Sequence, residues 1–380
     1  MKTVTTRGKV VIVVGLVAAC ASGVELGFRA FLRATGRDVI TVLPPQEVLA
    51  KAWFKPHPQL LFTFKPNTGF TMTKFDRPRI TVNGFGFRST LEYDVTTVTR
   101  PDNAIRIATL GGSTTMGVND DDRVWPYLLG RNLAAALPAR KIEVLNEGLM
   151  GYTSLENLLD LTMRVIDYDC DAYVIYLGVN DLLPSAPVDL YRSDYSHYRK
   201  TIYETFYESP VSCLPRWLLH LKTIRGLLQI AGVPDSRDLL KNTGAGQFRR
   251  NFSVGPQDEA KVAAMIRRTV LRNVTSMIGV IREHRPDAVI ALSSFYDLEN
   301  RTVISGLNSA FAQLAIRHNV LFVDVARRLP RDQSMAYDYG HFTPKGDSMM
   351  GQLVFEVILP EIQAQQQRGR AVEERRDPAR

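Results

Sequence analysis

A mostly apolar run leads into two glycines and a serine at Ile105-Arg106-Ile107-Ala108-Thr109-Leu110-Gly111-Gly112-Ser113. Such a run is typical of a buried strand, and the glycines let the backbone turn sharply where it ends. The serine hydroxyl would then stand at the carboxyl end of a strand, where open parallel sheets bind ligands. The loop by itself also fits a phosphate-cradling loop or a plain helix N-cap.

Two well-known loop motifs do not fit this stretch. No Gly-Lys-Ser/Thr follows the glycines, so it is not a Walker loop. Thr115 stands where the last glycine of a Gly-x-Ser-x-Gly nucleophile elbow would be. Ser113 is therefore a candidate nucleophile that needs support from other parts of the chain.

Strand and helix patterns alternate after this run. Strands are predicted at 141–145, 172–177, 288–292 and 320–325, and helices at 124–137, 155–168, 258–284, 307–318 and 344–363. Such alternation favours a parallel sheet with helices on both faces. We predict a three-layer α/β/α domain of the flavodoxin-like type over residues 104–365, followed by a disordered tail at 366–380.

Two stretches depart from this alternation. Residues 33–103 are rich in Pro, Thr, Phe and Gly, with strand patterns at 70–73 and 80–82, which predicts a small β-rich lead-in. Residues 183–254 form a predicted insertion after the third strand, with one helix pattern around 214–230. The insertion is either a lid that shapes a substrate pocket or a surface excursion. Its tyrosines, at 191, 195, 198, 203 and 207, can stack on a sugar, although core packing is favoured.

The first 32 residues predict a membrane anchor. Lys2, Arg7 and Lys9 precede an apolar run at 10–24, and further apolar residues extend it to position 32. Positive charge before an apolar segment is typical of a cytoplasmic flank, so the rest of the chain is expected on the periplasmic side. A buried helix of a soluble protein is an alternative.

The cysteines bear on a second alternative for the leader. Val17-Ala18-Ala19-Cys20 resembles a lipoprotein cleavage box, so a cleaved or lipidated signal peptide is also open. The other two cysteines are Cys170 and Cys213, which are too far apart in sequence to indicate a metal clip or redox motif. A disulfide between them is possible on sequence grounds alone.

Composition excludes several classes of protein. The chain has 380 residues, of which 45% are hydrophobic and 23% charged, so it has enough apolar residues for a sizeable core. The net charge of +8 is spread over the leader and short Arg-rich stretches, which fits solvated surfaces better than nucleic-acid binding. No nucleic-acid partner is expected.

Candidate hydrogen-bond donors follow the second and third strands. Gly148 can bring a backbone N–H against a ligand, although a glycine there is most often part of a turn. Asn180, in Gly178-Val179-Asn180-Asp181, offers the kind of N–H donor that a developing oxyanion needs. An Asn-Asp pair is also typical of a helix cap.

Asp338 and His341 stand three positions apart near the end of the chain. Residues at this spacing can share one turn, so the carboxylate can orient the imidazole. With Ser113 they make up the minimal set of groups for acyl transfer. The remaining histidines, at positions 57, 197, 220, 284 and 318, lack such a motif. No cluster indicates a metal, and no cofactor is expected.

Taken together, these blocks resemble the SGNH (GDSL-like) hydrolase family over about residues 106–358. The family landmarks appear in order as Ser113, Gly148, Asn180 and His341. The run at 82–88, Val-Asn-Gly-Phe-Gly-Phe-Arg, is similar to the lead-in of membrane-anchored bacterial members. Gly112 departs from the pattern, since many members carry Asp there.

The resemblance implies a role for each residue. Ser113 would attack the acyl carbonyl, His341 would take its proton, and Asp338 would orient His341. The backbone N–H groups of Ser113 and Gly148 and the side chain of Asn180 would form the oxyanion hole.

The sequence therefore predicts a hydrolase acting on ester bonds. Its expected substrate is an acylated small molecule, glycan or lipid, for instance an acetyl ester on an envelope carbohydrate, and its other expected partner is the membrane. An O-acyltransferase to a sugar hydroxyl and a non-catalytic glycan-binding envelope protein are the alternatives.

Overall fold

The computed structural model describes residues 6–40, 53–72, 74–185, 188–199, 214–233, 235 and 258–376. The chain divides into two compact units. The first consists of Met1–Ala52 and Thr201–Gly246, and the second of Trp53–Lys200 and Gln247–Arg380. Much of the predicted insertion at 183–254 lies outside the described residues.

The helices of the described residues are α1 (Thr6–Thr35), α2 (Ser113–Met116), α3 (Trp125–Ala136), α4 (Ser154–Met163), α5 (Leu182–Ser185), α6 (Lys222–Ile230), α7 (Glu259–His284), α8 (Thr302–His318), α9 (Val325–Arg328) and α10 (Pro344–Arg376). The strands are β1 (Phe54–His57), β2 (Leu61–Phe64), β3 (Thr68–Thr71), β4 (Arg79–Val82), β5 (Ala104–Gly111), β6 (Lys141–Asn146), β7 (Ala172–Tyr176), β8 (Val289–Ser293) and β9 (Leu321–Val323).

Among its described residues, the first unit contains the predicted anchor and one short helix of the insertion. Residues 10–32 are helical as predicted, within α1, and Val13–Thr35 is long and apolar enough to cross a membrane. The helix predicted around 214–230 is a 3-10 turn, Arg216–His220, followed by α6.

A five-stranded parallel sheet forms the centre of the second unit. Its strand order is β6-β5-β7-β8-β9, so the first strand in sequence lies second in the sheet. This is the flavodoxin-like order, and the three-layer α/β/α prediction is confirmed. Because all five strands are parallel, their carboxyl ends meet at one edge.

Two apolar layers cover the faces of this sheet. One contains buried residues of α3 and α10, and the other contains buried residues of α4, α7 and α8. Strands covered on both sides have to be buried throughout, and all eight residues of β5 are. This explains the nearly continuous apolar run of β5.

One charged residue interrupts that run. Arg106 of β5 is fully buried and pairs at 2.7 Å with Glu143, its register partner on β6. It also donates to the carbonyls of Val98 and Tyr168, each at 2.6 Å. A buried guanidinium needs such complete pairing, which here ties β5 to the segment preceding it.

The lead-in contains two antiparallel hairpins, β1-β2 and β3-β4, and the strand patterns at 70–73 and 80–82 fall at β3 and β4. It is joined to the main sheet through Arg88, which makes isolated bridges to Val82 and Asn146. The guanidinium of Arg88 is fully buried, donates to the carbonyls of Met116 and Gly117, and pairs with Asp121 at 3.1 Å. The lead-in thus holds the loop that follows α2.

Three helix boundaries differ from the sequence predictions. Helix α4, predicted to run to 168, ends at Met163 and is followed by a 3-10 turn, Val165–Tyr168. Helix α8 begins at Thr302 rather than 307, since burial of Val303 and Ile304 outweighs the helix cost of Gly306. Helix α10 continues to Arg376, so the predicted disordered tail at 366–380 is wrong as far as that residue. Gln, Arg, Ala and Glu dominate this end, and these residue types favour the helical state.

Candidate active site

Ser113 is the first residue of α2, directly after β5 and the N-cap Gly112. The turn is tight, because a β-carbon on Gly111 would lie 2.0 Å from the Thr115 hydroxyl oxygen. That hydroxyl donates to the carbonyl of Tyr176, the last residue of β7, at 3.0 Å. Thr115, which breaks the elbow motif, therefore anchors the loop to the neighbouring strand.

The three groups predicted for nucleophilic catalysis lie in hydrogen-bonding contact. The Oγ of Ser113 is 2.8 Å from Nε2 of His341. The Nδ1 of His341 is 2.9 and 2.8 Å from the two carboxylate oxygens of Asp338. With Nδ1 protonated, Nε2 is free to accept the serine proton.

Asp338 is held as an ionised carboxylate. It accepts the backbone N–H groups of His341 at 2.9 Å and Gly340 at 3.1 Å. Burial raises the pKa of Asp338, but hydrogen bonds from His341 and Gly340 outweigh burial and lower the pKa to about 2. The carboxylate can therefore stabilise an imidazolium on His341 at any ordinary pH.

Asn180 lies against the serine loop. Its Nδ2 donates to the carbonyl of Tyr152 at 2.9 Å, which uses one of its two hydrogens. A β-carbon on Gly112 would lie 2.5 Å from this Nδ2. The missing side chain at position 112 thus lets Asn180 approach the backbone beside Ser113.

Gly148 is packed against α2, the short helix that begins at Ser113. A β-carbon there would lie 2.1 Å from the backbone N of Met116, so only glycine fits. The N–H of Gly148 donates to Oδ1 of Asn146 at 3.1 Å. Its role as an oxyanion donor stays a prediction, and it requires this N–H to turn from Asn146 towards the substrate.

Two aromatic rings lie beside the imidazole of His341. The rings of Phe75 and Tyr339 have centroids 5.2 and 5.6 Å from that of His341. Phe75, Asp76 and Arg77 are consecutive residues with φ between 56° and 59°, an uncommon conformation for residues other than glycine. This turn of the lead-in brings Phe75 against His341, which no sequence pattern indicated.

A buried carboxyl pair behind the site was also missed. Glu147 and Asp160 are both fully buried, and Asp160 pairs with Arg164 at 2.5 Å. Burial raises the pKa of Glu147 well above its ordinary value, and neighbouring Asp160 raises it further. Protonated Glu147 accepts the N–H of Gly111 at 3.2 Å and can donate to Asp160. The signal was a lone Glu beside Gly148, which is too common to single out.

The other residues singled out in the sequence lie elsewhere. His284 and His318 end α7 and α8, as predicted from their patterns. Tyr195 and Tyr198 are buried, which favours core packing over sugar stacking, while Tyr203 and Tyr207 lie outside the described residues.

His57, His197 and Cys170 are not among the groups in contact with Ser113, His341 or Asp338. His57 accepts the N–H of Leu60 in the lead-in, and His197 contacts the carbonyl of Pro184. Cys170 is a buried free thiol, whereas Cys213, its possible disulfide partner, lies outside the described residues.

Comparison with known proteins gives one family match. Residues 109–348 match the model of the GDSL-like lipase/acylhydrolase family, which covers the serine loop and the Asp338–His341 loop. Among curated proteins, none matches the sequence.

Solved structures of similar fold have low identity. A lipase/acylhydrolase from Enterococcus faecalis is 18% identical, with 67% of this chain and 95% of that chain covered and a TM-score of 0.39. The lipase Lip_vut3 from a goat rumen metagenome is 15% identical, with 66% and 95% covered and a TM-score of 0.42. The acetyl xylan esterase AlAXEase is 12% identical, with 66% and 98% covered and a TM-score of 0.39. At these values the likeness says nothing about substrate.

Proposed function

Since this chain belongs to the GDSL-like lipase/acylhydrolase family, we propose that it is a serine esterase that cleaves O-acyl esters through Ser113, His341 and Asp338. The observation that carries the proposal is the 2.8 Å contact between Ser113 Oγ and His341 Nε2. A nucleophile within hydrogen-bond reach of a base, with the base oriented by a carboxylate, is the geometry that acyl transfer requires.

The first half of the reaction forms an acyl-enzyme. Ser113 Oγ attacks the ester carbonyl while His341 Nε2 takes its proton, and Asp338 stabilises the imidazolium that results. The tetrahedral intermediate collapses when His341 returns the proton to the leaving alkoxide. In the second half water attacks the acyl-enzyme with His341 again as the base.

The oxyanion of each intermediate needs preorganised donors. Ser113 is the first residue of α2, and the first N–H groups of a helix have no partner within it. This supports the N–H of Ser113 as a donor to the oxyanion. The second hydrogen of Asn180 Nδ2, which Tyr152 does not use, supports Asn180 as a side-chain donor to the oxyanion. Gly148 completes the proposed set when its N–H leaves Asn146.

We propose an acyl ester of an envelope carbohydrate or lipid, such as an acetyl ester, as the substrate. The aromatic ring of Phe75 beside His341 supports a substrate with an apolar or sugar face. The apolar helix α1 supports a location at the membrane, where such substrates are found.

The test of the reaction is hydrolysis of p-nitrophenyl acyl esters of increasing chain length by the detergent-solubilised full chain. Ser113→Ala should abolish turnover, while Ser309→Ala, on an exposed position of α8, should leave it unchanged. Turnover that survives in Ser113→Ala would refute Ser113 as the nucleophile. Turnover that depends on an added sugar acceptor would assign O-acyl transfer instead.

The second unit is proposed to lie on the periplasmic side of a retained anchor. The basic residues Lys2, Arg7 and Lys9 before α1 support this orientation. The chain should sediment with membranes and be digested by protease added from the periplasmic side. Recovery of the chain in the soluble cytosolic fraction would refute the proposal, and a shorter mature chain would assign a cleaved signal peptide.

A further inference from the structure

The candidate membrane helix contains one buried carboxylate, which belongs to Glu25. Most of the described residues around it on α1 are exposed, whereas Glu25 is 7% exposed. Its carboxylate accepts the N–H of Lys222 at 2.7 Å and of Thr223 at 3.0 Å, together with the Thr223 hydroxyl at 2.7 Å. Arg29, one turn along α1, donates to the same carboxylate at 2.6 Å.

These contacts fasten the first turn of α6 to α1. A carboxylate at a helix N-terminus satisfies N–H groups that have no partner within the helix. Apolar contact extends the joint, because a β-carbon on Gly226 would lie 3.2 Å from the ring of Phe28. The side chain of Gln229 accepts the N–H of Ile40 at 3.2 Å at the other end of α6. Helix α6 is therefore held along the end of α1.

The position of Glu25 sets the depth of α6 in a bilayer. The candidate span Val13–Thr35 includes Glu25, so this carboxylate lies within the hydrocarbon layer when α1 crosses the bilayer. A carboxylate at this depth is costly unless it is paired, and α6 and Arg29 pair it. Amphipathic helices that lie in a membrane surface are buried to about 5–10 Å.

The outer face of this segment is apolar. Leu227 and Ile230, three positions apart on α6, are 62% and 86% exposed. Trp217, on the preceding 3-10 turn, is 66% exposed. Polar contacts occupy a different part of the segment, where Lys222 pairs with Asp38 and Arg225 donates to the carbonyl of Leu219. Tryptophan is enriched at membrane–water interfaces.

We propose that residues 214–233 form a second membrane-contacting element, in which Trp217, Leu227 and Ile230 enter the headgroup–acyl boundary of the bilayer beside α1. The occupant of this apolar face is lipid, because α6 is fastened to the helix that spans the lipid. The inference rests on the proposed anchoring of α1, and it does not depend on the esterase chemistry.

The test labels single cysteines on the full chain reconstituted in phosphatidylcholine–phosphatidylglycerol vesicles. Cys20 and Cys213 are replaced by Ser, buried Cys170 is kept, and an environment-sensitive fluorophore is attached to Leu227→Cys or Ile230→Cys. Ile316→Cys is the matched control, since Ile316 is 82% exposed on α8 of the other unit. Each site is exposed, so the fold should tolerate the label.

The expected result is blue-shifted emission at positions 227 and 230, with quenching by lipids that carry a spin label near the headgroup. Position 316 should show water-like emission without quenching. Water-like emission at 227 and 230 in a chain that resists alkaline carbonate extraction overturns the second contact alone. Extraction of the chain by carbonate overturns both the contact and the anchor. Disulfide cross-linking between two chains of the unlabelled Leu227→Cys variant, without lipid quenching, assigns the face to a second copy and also overturns the proposal.

Discussion

Gly112 and Asn180 are in such close contact that a β-carbon on Gly112 would lie 2.5 Å from Nδ2 of Asn180. Asn180 therefore occupies the space that an Asp side chain at position 112 would need. This explains in physical terms why the chain carries Gly before Ser113.

Gly112→Ala should lower kcat on the order of 10²-fold, the cost of losing one oxyanion donor, because the added methyl group displaces Asn180. Backbone strain is not expected, since Gly112 has φ −95°, which alanine adopts readily. Steady-state hydrolysis of a p-nitrophenyl ester measures the effect. Gly306→Ala, where the methyl group meets no atom within 4 Å, should leave kcat unchanged. An unaltered kcat in Gly112→Ala would remove Asn180 from the proposed oxyanion hole.

Asp338→Asn should lower kcat by about 10⁴-fold with little change in KM, because the amide favours the wrong tautomer of His341. Kinetics with the same ester measure both constants. Asp332→Asn is the control, since Asp332 belongs to the same loop and its carboxylate accepts the N–H of Ser334 rather than contacting His341. Equal activity of the two variants would contradict the role assigned to Asp338.

The same carboxylate should contribute an acid-sensitive part of the stability. The pKa of Asp338 is about 2 in the folded chain, below its ordinary value of 3.8, so the unfolded state binds the proton first. The contribution is complete above about pH 4 and is lost as the pH falls towards 2. Urea unfolding at pH 5 and pH 2 should show a smaller difference for Asp338→Asn than for the wild type. Asp122→Asn, at an exposed carboxylate, should behave like the wild type, and identical pH responses of all three chains would rule out this linkage.

Glu147→Gln should leave stability and activity nearly unchanged. Burial raises the pKa of the Glu147 carboxyl well above its ordinary value and so favours the protonated form, and glutamine offers the same acceptor to Gly111 and a donor to Asp160. Glu147→Ala leaves the Gly111 N–H and Asp160 without this partner. It should lower the free energy of unfolding by about 1–3 kcal/mol. Chemical denaturation of the two variants makes the comparison. Marked destabilisation by Gln would show that Glu147 is ionised.

Much of the fold followed from local patterns in the sequence. Apolar runs that end in Gly-Gly, Asn-Glu-Gly and Gly-x-Asn marked the carboxyl ends of β5, β6 and β7, and periodicity located the helices between them. Predictions were weaker where packing overrides propensity, as at Gly306 in α8, and at the end of α10, where helix-favouring residue types extend the helix beyond the predicted end. The Phe75 turn gave no signal, because no local rule specifies three left-handed residues in succession.

The sequence by itself determined which groups are chemically available: a serine after a strand, and an aspartate and a histidine close enough along the chain to meet within one loop. Only the tertiary structure decided that His341 meets Ser113, 228 positions away, and that Asn180 fills the space beside Gly112. It also decided that burial and Asp160 raise the pKa of Glu147. The physical reason is that turn chemistry and periodicity depend on near neighbours in the chain. Distances between remote side chains, and the burial that shifts their pKa values, depend on the order in which the strands assemble.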